Sequence, residues 1–178
     1  DFLIIENKKL RELLDESINS QEIFARVLID KDSPFLKSVV LNKGTKDNVK
    51  IGMAVIDEVY LVGQIIEVNY SNSRALLLSD LNSKIPVLLE PLDIHAVASG
   101  TGKNYGVIEY TKDDYDQIIK DREIIVYTSG YGGLFKPGLP VGKIIYDNKI
   151  NDNIINFFSD FRQLDYVKIV SYDIGSGN

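Results

Sequence analysis

From Phe24 to Val170 the chain alternates short Ile-, Val- and Leu-rich runs with clusters of Gly, Asn, Asp and Pro. That rhythm leaves little room for long helices and is the pattern of an all-β sandwich or barrel. Residue usage agrees: 23 Ile and 15 Val stand against 5 Ala, with 10 Tyr and 7 Phe. β-branched and aromatic side chains suit a pleated, half-buried surface, whereas Ala is the strongest helix former. At 178 residues the chain is long enough for one ordinary domain or two small ones.

The first eighteen residues break the pattern. Leu3, Asn7, Leu10 and Leu14 recur at alternating spacings of four and three, with charged residues between them. They make about two heptads, with Leu3 and Leu10 at d and Asn7 and Leu14 at a. An Asn at one a position costs stability but fixes register and favours two strands. The spacing therefore predicts a coiled-coil-type helix over 1–18 whose candidate self-association residues are Leu3, Asn7, Leu10 and Leu14. A surface helix packing its leucines on its own domain is the alternative. Cap-type residues Ser17, Asn19 and Ser20 mark its end.

Shifting the sequence by 86 residues aligns Ser38–Val55 with Ile124–Val141 without a gap. Identities fall at Val40/Val126, Gly44/Gly130, Lys50/Lys136, Gly52/Gly138 and Val55/Val141. Each copy then carries Val-Gly-x-Ile-Ile, at Val62–Ile66 and Val141–Ile145, and the first copy has seven extra residues, Ile56 to Val62. The shared pattern reads as a buried strand, a glycine turn with φ > 0, a short loop, an apolar residue, a Lys, a second glycine turn and a new strand. Two related β-modules in tandem follow from it. The turn glycines are Gly44, Gly52, Gly130, Gly132, Gly133 and Gly138.

These residues resemble a known family. The runs Val40–Gly44, Asp47-Asn48-Val49, Gly52–Val55 and Leu61–Gln64 are similar to the extracytoplasmic part of the rod-shape-determining MreC family. So are Ser99–Gly102, Thr128–Phe135 and Pro137–Gly142. Arg122 stands where the family often has Gly, and Lys136 separates Phe135 from Pro137. The resemblance implies a membrane-anchored scaffold of the cell-elongation machinery that projects a coiled coil and two small β-barrels outward. It also implies homodimers and higher assembly. The partners it implies are MreD and the penicillin-binding transpeptidase that builds lateral peptidoglycan. The anchor would precede this chain, which starts at an aspartate and reads as an excised segment. A generic extracytoplasmic adhesion or binding module is the competing reading.

Catalysis deserves a test, because a two-barrel chain can be a serine hydrolase. His95, then Asp113, Asp114, Asp116 or Asp121, then Ser129 fall in the order of one such class, and Gly130, Gly132 and Gly133 flank the serine. All of them come from one 35-residue stretch, whereas chymotrypsin-like sites span both barrels. His95 sits in the alternating run Ile94–Ala98 as an outward strand position, and the repeat places Ser129 opposite Lys43 in a turn slot. Gly100-Thr101-Gly102-Lys103 looks like the end of a P-loop, but Val97 replaces the first glycine and Asn104 the metal-holding hydroxyl. A hairpin between Ile94–Ala98 and Tyr105–Tyr110 explains it better. The clusters Asp113-Asp114-Asp116 and Asp147–Asp152 lack the ligand spacing of a calcium loop. With no Cys and one His, thiolate and multi-histidine metal sites are excluded. A net charge of −6 argues against nucleic acid, and no apolar run reaches the roughly 18 residues of a membrane span.

The expected architecture is all-β: two small tandem six-stranded barrels behind an N-terminal coiled-coil-type helix. The helix covers 1–18. The first module covers 19–92 and is completed by a C-terminal strand within 164–172, which must find an edge to pair with. The second covers 93–163. Within it Ile154, Phe158 and Phe161, at helical spacing, predict a short turn over Ile154–Leu164 that caps a barrel; its three phenylalanines could instead form an exposed partner site. Residues 173–178 read as a disordered tail. No catalytic, cofactor or metal residue is assigned.

Overall fold

The computed structural model describes residues 2–17, 21–28, 37–109, 122–133 and 135–172, with the backbone alone for residues 11–17. Helix α1 spans Phe2–Ser17. Strands β1 (Glu22–Leu28), β2 (Ser38–Leu41), β3 (Ala54–Asp57), β4 (Tyr60–Val68), β5 (Ser73–Leu77) and β6 (Lys84–Glu90) follow. Then come β7 (Ile94–Gly100), β8 (Gly106–Glu109), β9 (Ile125–Thr128), β10 (Pro140–Asp147), β11 (Asp152–Phe157) and β12 (Tyr166–Val170). They close into two six-stranded barrels, β12-β3-β4-β5-β2-β1 and β6-β9-β10-β11-β8-β7. The last strand pairs with β1 and β3 and so closes the first barrel. The proposed tail 173–178 lies outside the described residues.

The two barrels share one strand order. Counting β12 ahead of β1, each strand of the first barrel has its counterpart at the same place in the second. The first barrel is thus a circular shift of the second, with its leading strand moved to the C-terminus.

The expected boundary at residue 92 is corrected. Strand β6 belongs to the second barrel, where it pairs with β7 and β9, and the crossover runs from Leu78 to Ser83. The turn-rich residues Pro91, Leu92 and Asp93 form a hairpin inside that barrel. Ile85, Val87 and Leu89 alternate inward along β6 and bury against Val126 and Ile155. The crossover itself is held by Asp80, 2% exposed. Its Oδ2 accepts from the Lys37 N–H at 2.7 Å, and its Oδ1 from Asn82 N–H at 2.7 Å and Asn82 Nδ2 at 3.0 Å. Gly100 packs its α-carbon against the Asp80 carbonyl, where a Cβ would collide. This close approach, not phosphate binding, accounts for that glycine. Asp80→Ala removes the carboxylate that accepts these three bonds and is expected to cost about 1–3 kcal/mol, read as a lowered urea midpoint. Asp80→Asn should lose less.

Two cores fill the molecule. Val55, Val62, Ile65, Val167 and Ile169 point into the first barrel. Ala54, Ile56, Leu61 and Val170, on the opposite faces of the same strands, join the core of the second barrel with Phe135, Leu139 and Val141. β3 and the start of β4 are therefore buried on both faces, which is why they read as continuous apolar runs. The barrels are joined through an apolar interface, which opposes motion of one against the other.

The predicted turn over Ile154–Leu164 is corrected as well. Residues 152–157 are strand β11, paired along its length with β10, and only Phe161–Gln163 forms a short 3-10 turn. The phenylalanines are structural: Phe157 packs on Phe161, Phe158 on Tyr60 of the first barrel, and Phe161 touches both cores. Phe157 and Phe161 are half-buried against the cores, while Phe158 packs on Tyr60 and stays 37% exposed.

Candidate partner-docking surfaces

Helix α1 exposes its apolar residues. Leu3 is 66% and Leu10 51% exposed, and Phe2, Ile4 and Ile5 also face solvent. Asn7 is exposed on the same helix, and the Leu14 side chain lies outside the described residues. Leu3 and Leu10 therefore do not pack on their own barrels. Among the described side chains α1 makes a polar contact: the Lys9 ammonium bonds Glu90 Oε1 at 2.8 Å and lies 4.2 Å from the centre of the Tyr127 ring. Both partners sit on neighbouring strands of the second barrel, β6 and β9. Burial, and then the charges of Glu6 and Glu90, hold the Tyr127 phenol above its usual pKa. Its neutral form is favoured when folded, so this contribution is full below the unfolded phenol's pKa and is lost as pH rises through the folded one. Lys9→Ala is expected to release α1 at a cost of about 1–2 kcal/mol. Faster amide exchange along α1 with an unchanged barrel melt would report it.

The second surface is the junction between barrels. The two aligned loops meet there. After β2 the chain makes a 3-10 turn at Thr45–Asp47, and 86 residues on, after β9, it turns again at Tyr131–Gly133, there with left-handed backbone at Gly132 and Gly133. Both loops then line a single cleft of about 590 Å³. Val49 is buried in the first barrel's core, and Phe135, its counterpart, in the core shared with the junction. The glycines divide by cause. Gly52, Gly130, Gly132, Gly133 and Gly138 have positive φ, as the turn reading predicts. Gly44 does not: its φ is −142°, and it is glycine because a Cβ would strike the Asn69 and Tyr70 backbone. The alignment also marks a local unit rather than an equivalent position, since it matches β2 with β9 whereas the barrel order matches β3 with β9.

The hydrolase constellation is not assembled. His95 is exposed on β7 beside Leu88, and Ser129 follows β9 beside Pro86, so strand β6 lies between them. Two strand spacings put them about 10 Å apart across the sheet. The Ser129 hydroxyl accepts from the Tyr131 N–H at 3.2 Å, an ordinary turn cap. Asp113, Asp114, Asp116 and Asp121 lie outside the described residues. Gly102, at φ 78°, turns the β7–β8 hairpin, with Thr101 Oγ1 donating to the Tyr105 carbonyl at 2.7 Å. Asp147 caps its own hairpin by accepting from Lys149 and Ile150 N–H at 2.8 and 3.0 Å. Among the described residues no cluster of His, Asp or Glu is placed to hold a metal. One cross-strand group on the second barrel was not legible in the sequence: Lys84 Nζ and Ser99 Oγ both donate to Glu109 Oε2 at 2.8 Å and hold that carboxyl below its usual pKa. It staples three strands.

Among the described residues the barrels offer no free sheet edge, because both are closed. Strand addition has no edge to start from there, which leaves faces, loops and the junction cleft as docking surfaces.

Comparison with known proteins agrees with this architecture. The family model "Rod shape-determining protein MreC, barrel core" matches residues 27–171. The cell shape-determining protein MreC of Haemophilus influenzae is 34% identical over 162 residues, 89% of this chain and 44% of that protein. The chain thus spans under half the length of that relative. The crystal structure of MreC from Pseudomonas aeruginosa has a TM-score of 0.70 at 26% identity, covering 84% of this chain and 98% of that one. An MreC bound to the penicillin-binding protein PBP2 in a Helicobacter pylori complex has the same fold, with a TM-score of 0.59 at 13% identity and 85% of this chain covered. The double barrel, the paired glycine loops and a family match that runs from β1 past β12 place this chain in the MreC family of rod shape-determining proteins.

Proposed function

We propose that the chain is a non-enzymatic scaffold of the cell-elongation machinery, working on the outer side of the cytoplasmic membrane. It would form homodimers, and further assemblies, through α1 and organise the penicillin-binding transpeptidase of elongation, with an MreD-type protein as membrane partner. The observation that carries the reading is the pairing of a rigid double barrel with an apolar helix left in solvent, Leu3 and Leu10 foremost. Such a face is stable in water only when another surface covers it. The Helicobacter pylori complex supports a transpeptidase as a partner of this fold. The docked transpeptidase would be switched by differential binding to one of its conformers. The chain contributes no chemistry of its own in this reading: Ser129 is a turn cap and His95 is remote from it.

Cell shape tests the proposal. In the organism that carries this gene, depletion of the protein should turn rods into spheres. Expression of the chain behind a single membrane-spanning helix should restore them. Rods that persist through depletion would contradict the scaffold reading and favour a general adhesion module.

A further inference from the structure

We infer that the outer wall of the first barrel, along β1 and β12, is a contact surface between two copies of this chain, separate from α1. The inference rests on the assembly proposed above and gives it a surface that the helix does not supply. Phe24 on β1 and Tyr166 on β12 are each 70% exposed, although both strands belong to a closed barrel. Phe24 pairs with Lys168 and Arg26 with Tyr166, so the two rings are diagonal neighbours about 7–8 Å apart. Together they leave roughly 300 Å² of ring surface in water, the size at which an apolar patch marks a contact. Both strands and the residues flanking them, 21–28 and 164–172, are described throughout.

Charge names the partner. The outward residues of β1 run Glu22, Phe24, Arg26: a carboxylate, a ring and a guanidinium at every second position. A two-fold axis that crosses the strand at Phe24 reverses that order in the second copy. Ring then stacks on ring, and each Glu22 stands opposite the other copy's Arg26. Arg26 is exposed and makes no ion pair among the described residues, so its charge is available. Lys168 Nζ leans toward Glu22 at 3.8 Å, and the same axis brings it to the row of the second copy's Tyr166, whose ring face attracts a cation. A partner of one charge sign would meet repulsion at one end of this row, whereas a second copy meets attraction at both. The wall of a closed barrel is convex, which confines the contact to two strands and keeps it smaller than a stable complex needs. It therefore acts once α1 has raised the local concentration of copies.

The test is sedimentation velocity of the chain carrying Leu3→Asp and Leu10→Asp, which removes the helix seam, above the concentrations at which the parent associates. Weak dimers should still form below about 1 mM. Adding Phe24→Asp should weaken them by about 100-fold or more, and adding Arg26→Glu instead by about tenfold or more. Combining Arg26→Glu with Glu22→Arg exchanges the two charges and should return the affinity to within about threefold. All three positions are exposed on the outer wall, and an unchanged barrel melt checks that each variant folds. No association up to about 1 mM, indifference to Phe24→Asp, or failure of the exchanged pair to recover would each overturn the inference. Parent dimers that then still depend on Leu3 and Leu10 would leave the α1 reading standing and remove only the barrel contact.

Discussion

Phe135→Ala is expected to destabilise the protein by about 3–5 kcal/mol, a large part of the roughly 5–15 kcal/mol that holds a domain folded. Phe135 is 2% exposed and sits where the second barrel meets Ala54, Ile56 and Leu61 of the first. Truncation removes its transfer free energy and leaves a cavity that two rigid barrels cannot collapse around. The urea midpoint should fall sharply, and both barrels should report it together because they share that core. Phe135→Leu keeps most of the volume and should cost under about 1.5 kcal/mol. A loss below about 1 kcal/mol for the alanine variant would mean the ring is not part of the junction core.

The second large effect concerns association. Leu3→Asp combined with Leu10→Asp should abolish dimers at concentrations where the parent chain self-associates. Both side chains are exposed in the single chain, so neither substitution disturbs its own barrels. A leucine buried in a helix–helix seam is worth about 1.5–3 kcal/mol, and the pair should therefore weaken association by about 100-fold or more. The β-sheet circular dichroism and the barrel melting temperature should not move. A dimer that persists in the double variant would place the interface on the barrels and demote the heptads to a stalk.

Much of this was legible in the residues. The Ile/Val runs and their Gly and Asn punctuation give strands with the right spacing, and the helix follows from the leucines because charged residues separate them. Three features were not legible, each because it depends on contacts distant in sequence. Strand β6 crosses to the second barrel since Asp80 collects amide donors from Lys37 and Asn82, a bond set no local pattern announces. Pro91–Asp93 looks like a domain boundary but turns a hairpin. Gly44 looks like a left-handed turn and is glycine for lack of space beside Tyr70. The repeat shows the same limit from the other side. Sequence matched two turns 86 residues apart, but could not show that their backbones differ or that they occupy different places in the barrel order. Nor could it show that they face one cleft, since the barrels' mutual arrangement rests on Phe158 stacking on Tyr60 and on Ser159 Oγ donating to Asp57 at 3.1 Å.

The most direct measurement is sedimentation velocity of the chain over a concentration series, alone and with the ectodomain of the elongation transpeptidase. A monomer–dimer equilibrium, joined by a faster species when the transpeptidase is present, is the predicted result. A strict monomer at every concentration that ignores the transpeptidase would contradict the scaffold account.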